Sequence, residues 1–166
     1  MVSVNAGVQR VGELMAGWGD RLSIAAVNGV SAVVVSGEVD ALQELMGRCE
    51  AQGVRARRIE VDYASHSGQV EAIRESLVEA LAGVEPRSSS IALFSTVTGG
   101  LLDTAELGAE YWYRGIRQTV QFEQAVRAAG EQGYRVFIES SPHPVLLAGI
   151  EESFADPLGG SAGQPV

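Results

Sequence analysis

The sequence predicts an α/β protein that opens with a ferredoxin-like α+β unit. Two observations carry this. In the first sixty residues, β-rich and helix-periodic runs follow one another in the order β-α-β-β-α-β. From Gln69 onward, helical spacings of three and four residues are separated by single strand-like runs, and strands joined by helical crossovers imply a parallel layer.

Each element has a local reason. "MVSV" is a short apolar start, and Val8, Val11, Leu14 and Met15 recur at helical spacing until Gly17 and Gly19 interrupt them. "RLSIAAVNG" and "SAVVVSG" are two β-rich runs meeting at a turn that contains Asn28 and Gly29. Asp40, with Gln43 three residues on, reads as a capping-box opening of a helix that buries Leu42, Leu45, Met46 and Cys49 and stops at Gly53. "VRARRIEV" is the fourth strand. Its parity changes between Val54 and Ala56 on one side and Ile59 and Val61 on the other, so a bulge near Arg57 and Arg58 is expected.

Val70, Ile73, Leu77, Leu81 and Val84 then predict a helix with Glu71 in its first turn and Gly83 and Pro86 near its end. "SIALFST" reads as a strand and "TGG" as a turn. "AELGAEYWYRGIRQTV" is a helical stretch expected to break at Gly115, and a helix over 122–129 leads to the strand "YRVFIES". Pro144 suits the first turn of a last helix carrying Val145, Leu146, Ile150 and Phe154. Two parallel strands are too few to make a covered sheet, so the second part reads as a piece of a larger layer. The face toward the absent strands is expected to be apolar and exposed, and the chain to self-associate there.

Composition narrows the function. The 21 acidic and 12 basic residues give a net charge of −9, which opposes binding to nucleic acid or to an anionic membrane. All the basic side chains are arginine, so lysine Schiff-base and lysine general-base chemistry is unavailable. One cysteine, Cys49, excludes an internal disulfide and a multi-cysteine metal site, and its helical context points to packing. The apolar runs are too short to span a bilayer and no signal pattern opens the chain, so a cytoplasmic location is expected.

Elimination leaves two histidines as general-base candidates, because only they titrate near neutrality unperturbed. With no cysteine cluster they make no metal site. His66, in "YASHS", lies where a strand hands over to a helix, a position held rigid from both sides. Position alone leaves open whether His66 works chemically or whether it and Ser67 form a helix N-terminus with Ser67 as the cap. His143, between two prolines, is read as structural, its ring packed or bonded to backbone. Ser67 beside His66 is not read as a nucleophile, since sequence neighbours rarely reach attack geometry and no GxSxG elbow occurs. No phosphate loop is present either. The chain offers a base and no nucleophile.

The runs "LSIAAVNG", "SAVVVSG", "VRARRIEVDYASHS", "STVTGGLLD", "YWYRGIRQTVQF" and "RVFIESSPHPVL" resemble, in order and wording, the acyltransferase domain of modular type I polyketide synthases. The resemblance covers about residues 1–155. It implies a ferredoxin-like subdomain over residues 1–62, the returning part of an α/β-hydrolase-like subdomain over 63–156, and a linker or tail over 157–166. It further implies a ping-pong mechanism in which a GHSxG serine takes an acyl group from an acyl-coenzyme A extender, with His66 as its base. The acyl group then passes to the phosphopantetheine thiol of an acyl carrier protein.

No bound cofactor is implied. The partners are the carrier protein and neighbouring synthase domains, including the acyltransferase segment that precedes residue 1 in the family pattern. Tyr63, Ala64 and Ser65 would shape the extender pocket, "YASH" going with methylmalonyl and "HAFH" with malonyl units. Asn28 would lie beside the pantetheine path, or simply cap its turn. The backbone carbonyl at Gly115, where the family usually has asparagine, would orient His66. The serine, its oxyanion-hole glutamine and the extender-binding arginine of the family have no counterpart here, so the isolated chain is expected to be silent. The competing reading is a non-catalytic module that docks a carrier protein; a self-contained hydrolase using Ser67 or Cys49 has least support.

Overall fold

A computed structural model describes residues 1–155; the expected tail, 157–166, lies outside the described residues. Seven strands and six α-helices follow in order: β1 (Val2–Val4), α1 (Val8–Leu14), β2 (Leu22–Gly29), β3 (Ala32–Gly37), α2 (Val39–Ala51), β4 (Ala56–Arg58), α3 (Arg74–Ala80), β5 (Leu93–Ser95), β6 (Gly100–Leu102), α4 (Ala109–Arg117), β7 (Val120–Gln121), α5 (Phe122–Glu131) and α6 (Leu147–Phe154).

The first unit has the expected order. Its strands lie β4-β1-β3-β2, all antiparallel, as a β-α-β-β-α-β chain with two interleaved crossovers requires. Period-two alternation puts Val2, Val4, Val33 and Val35 on one face. That face packs against Val11 and Leu14 of α1 and Ala41, Leu42, Leu45 and Cys49 of α2. Cys49 is fully buried, and burial pushes its thiol up, as the packing reading implies. The sheet does not stop at residue 62: β7 joins it, parallel to β2, through Ala26↔Val120 and Val27↔Gln121.

Several expectations are corrected. β4 pairs regularly through both arginines, Arg57 with Ser3 and Arg58 with Val2, so no bulge forms there. The strand ends at Arg58, and Ile59 and Val61 need not share its parity. Register shifts occur instead between β2 and β3, at Ile24/Ala26 and Val27/Gly29. Asn28 and Gly29 belong to β2, and the turn is at Val30 and Ser31. Glu38, not Asp40, precedes the first residue of α2.

The helix predicted from Gln69 is a 3₁₀ segment (Gly68–Ile73) running into α3, and α4 passes through Gly115 unbroken. Pro144 and Val145 stand before α6 rather than in it. The two-strand parallel layer is absent among the described residues. β5 pairs antiparallel with β6, and residues 134–140 are not in a strand. A parallel strand needs neighbours to take its backbone groups, and here Val136 and Ile138 are 65% and 89% exposed.

The second part reaches the first through α5 and α6, which pack on β2. Glu152 of α6 accepts from the Ser31 N–H (3.0 Å) and hydroxyl (2.7 Å) at the β2–β3 turn. Gly149 lies against the backbone of Asn28 and Gly29, where a Cβ would overlap the Asn28 carbonyl. No helix among the described residues is long and apolar enough to cross a membrane.

Candidate active site

Beyond β4 lies His66, which has φ +58°, the one non-glycine residue with positive φ among those described. That conformation persists only where the surroundings dictate it. Here two carbonyls from the end of α4 do so. The His66 N–H donates to the Ile116 carbonyl (2.8 Å), and the ring Nδ1 lies 2.7 Å from the Gln118 carbonyl oxygen. A carbonyl only accepts, so Nδ1 carries the proton, and Nε2 is the atom with a free lone pair.

The end of α4 presents these carbonyls because Gln118 leaves the helix in an extended conformation, φ −87° and ψ 164°. Thr119 then donates its hydroxyl to the Ile24 carbonyl (2.7 Å), and Val120 enters the sheet beside Ala26. His66 is thereby referenced to the central sheet.

Ser67 forms the helix N-terminus that position alone left open. It caps the 3₁₀ segment: its Oγ accepts from the Gln69 N–H (3.3 Å) and donates to the Ala64 carbonyl (2.6 Å). The side chain is buried, and its hydroxyl hydrogen is committed to the Ala64 carbonyl rather than to a base. The cap and a turned-out His66 coexist.

Tyr63 is 60% exposed. It and Ala64 line a crevice of mixed character, with Leu42 and Met46 of α2 and also Arg58 and Asp62 in its lining, while Ser65 and His66 are half-buried outside that lining. Asn28 is half-buried in β2, one residue beyond the Val27↔Gln121 pair, and its side chain makes no hydrogen bond among the described residues. It therefore caps no turn. The expectation for Gly115 is corrected: the carbonyls that meet His66 belong to Ile116 and Gln118, because α4 runs on to Arg117 and only its last carbonyls project past the helix.

His143 is exposed rather than packed, and its carbonyl accepts from the Ser141 hydroxyl. The structural role in this segment falls to Glu139, which sequence reading missed. Its carboxylate accepts from the Val145 and Leu146 N–H groups (both 3.1 Å) and from the Ser141 hydroxyl, closing the start of α6. Lost hydration pushes its carboxyl up, and these donors more than reverse that, holding it below its ordinary value. Glu139 stands eight residues before the first residue of α6, outside the spacing at which a sequence shows a cap.

The family model of the acyl transferase domain matches residues 1–163. The chain belongs to this family. It is 64% identical over 155 residues to mycoketide-CoA synthase of Mycobacterium tuberculosis, covering 93% of this chain and 4% of that protein. It is 48% identical to erythronolide synthase EryA3 of Saccharopolyspora erythraea, over 98% of this chain and 5% of that protein. Among solved structures, the acyltransferase domain from module 8 of the salinomycin polyketide synthase superposes with a TM-score of 0.88 at 51% identity. That match covers 91% of this chain and 36% of the solved one.

The acyltransferase domain of SpnD, in complex with 2-(pent-4-yn-1-yl)malonyl, gives a TM-score of 0.87 at 30% identity, over 99% of this chain and 38% of that one. The chain is part of an acyltransferase domain of the polyketide-synthase kind, a transferase by family, and its relatives are multidomain synthases of which it spans 4–5%. The chain spans little more than a third of these two solved acyltransferase domains.

Proposed function

We propose that this chain supplies the general base and the extender-recognising loop of a polyketide synthase acyltransferase, whose nucleophilic serine lies in polypeptide outside this sequence. In this reading, residues 1–62 are the smaller subdomain and 63–156 the returning part of the larger one. Nε2 of His66 takes the proton of the serine hydroxyl as its oxygen attacks the thioester carbonyl of an acyl-coenzyme A. The C–S bond breaks, and the coenzyme A thiolate leaves with that proton. In the second half, the phosphopantetheine thiol of an acyl carrier protein gives its proton to His66 and attacks the ester, and the serine oxygen recovers a proton as it leaves. The Nδ1–H···O=C bond to Gln118 can persist throughout, since Nδ1 is a donor in both the neutral and the charged ring.

The observation that carries this reading is the tautomer that the Gln118 carbonyl imposes, with Nε2 left unbonded. The extender is assigned as methylmalonyl over malonyl. Its support is the "YASH" loop, with Tyr63 and Ala64 lining a crevice that also holds Leu42 and Met46, and the occurrence of a substituted malonyl group in the SpnD relative. One methyl group in an apolar site is worth about 10- to 200-fold in selectivity.

The test is a chimaera in which this chain replaces the corresponding region of the salinomycin module 8 acyltransferase. Intact mass should show a methylmalonyl adduct that is absent from the 166-residue chain alone, and His66→Ala should slow its formation about 10²- to 10⁴-fold. An adduct on the isolated chain, or an undiminished rate in His66→Ala, would overturn the proposal; the latter would favour the docking-module reading.

A further inference from the structure

Five residues past His66, in the 3₁₀ segment that Ser67 caps, the Glu71 carboxylate accepts two hydrogen bonds from α4. The Tyr113 hydroxyl donates to Oε2 and Arg117 Nε to Oε1, each at 2.6 Å. Arg117 stands between Ile116 and Gln118, the two residues whose carbonyls take the His66 N–H and ring. The contacts therefore close a circuit: from His66 through the 3₁₀ segment to Glu71, across to Arg117, and back through Gln118 to His66. One further tie reinforces it. Arg74 donates to Glu110 (2.9 Å), and its guanidinium lies 5.2 Å from the centre of the Tyr113 ring.

We propose that Glu71 is a positioning residue, holding the last turn of α4 in the register at which the Gln118 carbonyl receives Nδ1–H of His66. This rests on the reading of His66 as the base and deepens it by naming what fixes that base. The geometry gives the reason. His66 is held at positive φ by bonds to residues on either side of Arg117. If the arginine is released, those carbonyls are free to shift and the backbone can relax toward ordinary φ, which swings the ring. Tyr113 is buried as a whole, and its hydroxyl has the Glu71 carboxylate as its partner, which Glu71→Ala removes.

A displacement of about 1 Å at a reacting group can cost on the order of 100-fold in rate. In the chimaera, Glu71→Ala should lower kcat for acylation about 10- to 100-fold, with KM for the acyl-coenzyme A unchanged. ¹⁵N–¹H spectra of the imidazole in the chain itself should show His66 moving from a dominant Nδ1–H tautomer to a mixture. Glu71→Gln, whose amide oxygen still accepts from Tyr113, should recover part of both. Tyr113→Phe removes one hydroxyl only and should give a smaller loss of the same kind, which keeps the test open where Glu71→Ala does not fold.

If Glu71→Ala melts earlier but retains wild-type kcat and the Nδ1–H signal, Glu71 is only a structural tie and the proposal fails. If His66→Ala itself is undiminished in rate, the base assignment fails, and the imidazole spectra still decide whether Glu71 orients the ring.

Discussion

Nδ1 of His66 lies 2.7 Å from the carbonyl oxygen of Gln118, fifty-two residues further along the chain. The partner is backbone, so the identity of residue 118 should be nearly immaterial while its conformation is not. Gln118→Ala, at an exposed side chain, is expected to change stability by less than about 0.5 kcal/mol. It should leave the His66 imidazole spectrum unaltered. A loss of the Nδ1–H signal in this variant would show that the side chain takes part.

Ser67 is a cap whose hydroxyl both accepts and donates. Ser67→Ala should cost about 0.5–2 kcal/mol in urea unfolding, through the lost cap to Gln69 and the lost donor to Ala64. In the chimaera it should leave the mass of the acyl adduct unchanged. An adduct that disappears with Ser67 alone, in a variant that is still folded, would make this serine a nucleophile.

The two-glycine approach between α6 and β2 gives a contrasting pair. Gly149→Ala places a methyl group into the Asn28 carbonyl, and Gly29→Ala places one 2.9 Å from the Gly149 Cα. Both neighbours are backbone and cannot rotate away, so each variant should lose about 1–3 kcal/mol or more. Gly115 lies inside α4, and a Cβ there would meet nothing closer than Val97 at 3.7 Å. Gly115→Ala should therefore gain about 0.5–1 kcal/mol. Urea midpoints of the three variants check both signs.

The ferredoxin-like half was legible because its signals are local and agree: alternation in β3, helical spacing in α1 and α2, and glycine at the end of α2. One failed inference there, the bulge at Arg57, came from extending β4 past Arg58. The second half was less legible for a different reason. "YRVFIES" has the composition of a buried parallel strand, but strand formation depends on partners, and none of the described residues pairs with it. At the candidate site, His66 stood out in the sequence by its chemistry. Gln118 was invisible because a backbone carbonyl has no sequence signature, and Glu71 was read only as a helix-start acid because its partners lie more than forty residues away.

The Glu71 tie should show itself at both ends of the pH scale. The hydrogen bond from Tyr113, then that from Arg117, hold the Glu71 carboxyl below its ordinary value of 4.5. A depressed folded-state value means that the folded protein binds this proton less readily than the unfolded chain. The contribution is thus complete above the ordinary value and fades as pH falls through the lower, folded one. The Tyr113 hydroxyl is pushed above its ordinary 10.0, first by the same bond to Glu71 and then by lost hydration. Its contribution is present below that value and is lost as pH rises through the raised one. Wild type should therefore exceed Glu71→Gln in urea midpoint near pH 7, and the gap should narrow as pH drops below the carboxylate range and again as it climbs past the phenol range. Added salt should shrink the part due to Arg117 more than that due to Tyr113, since the ion pair is solvent-exposed. A gap that stays constant across the whole pH range would mean that Glu71 is not titrating against either partner.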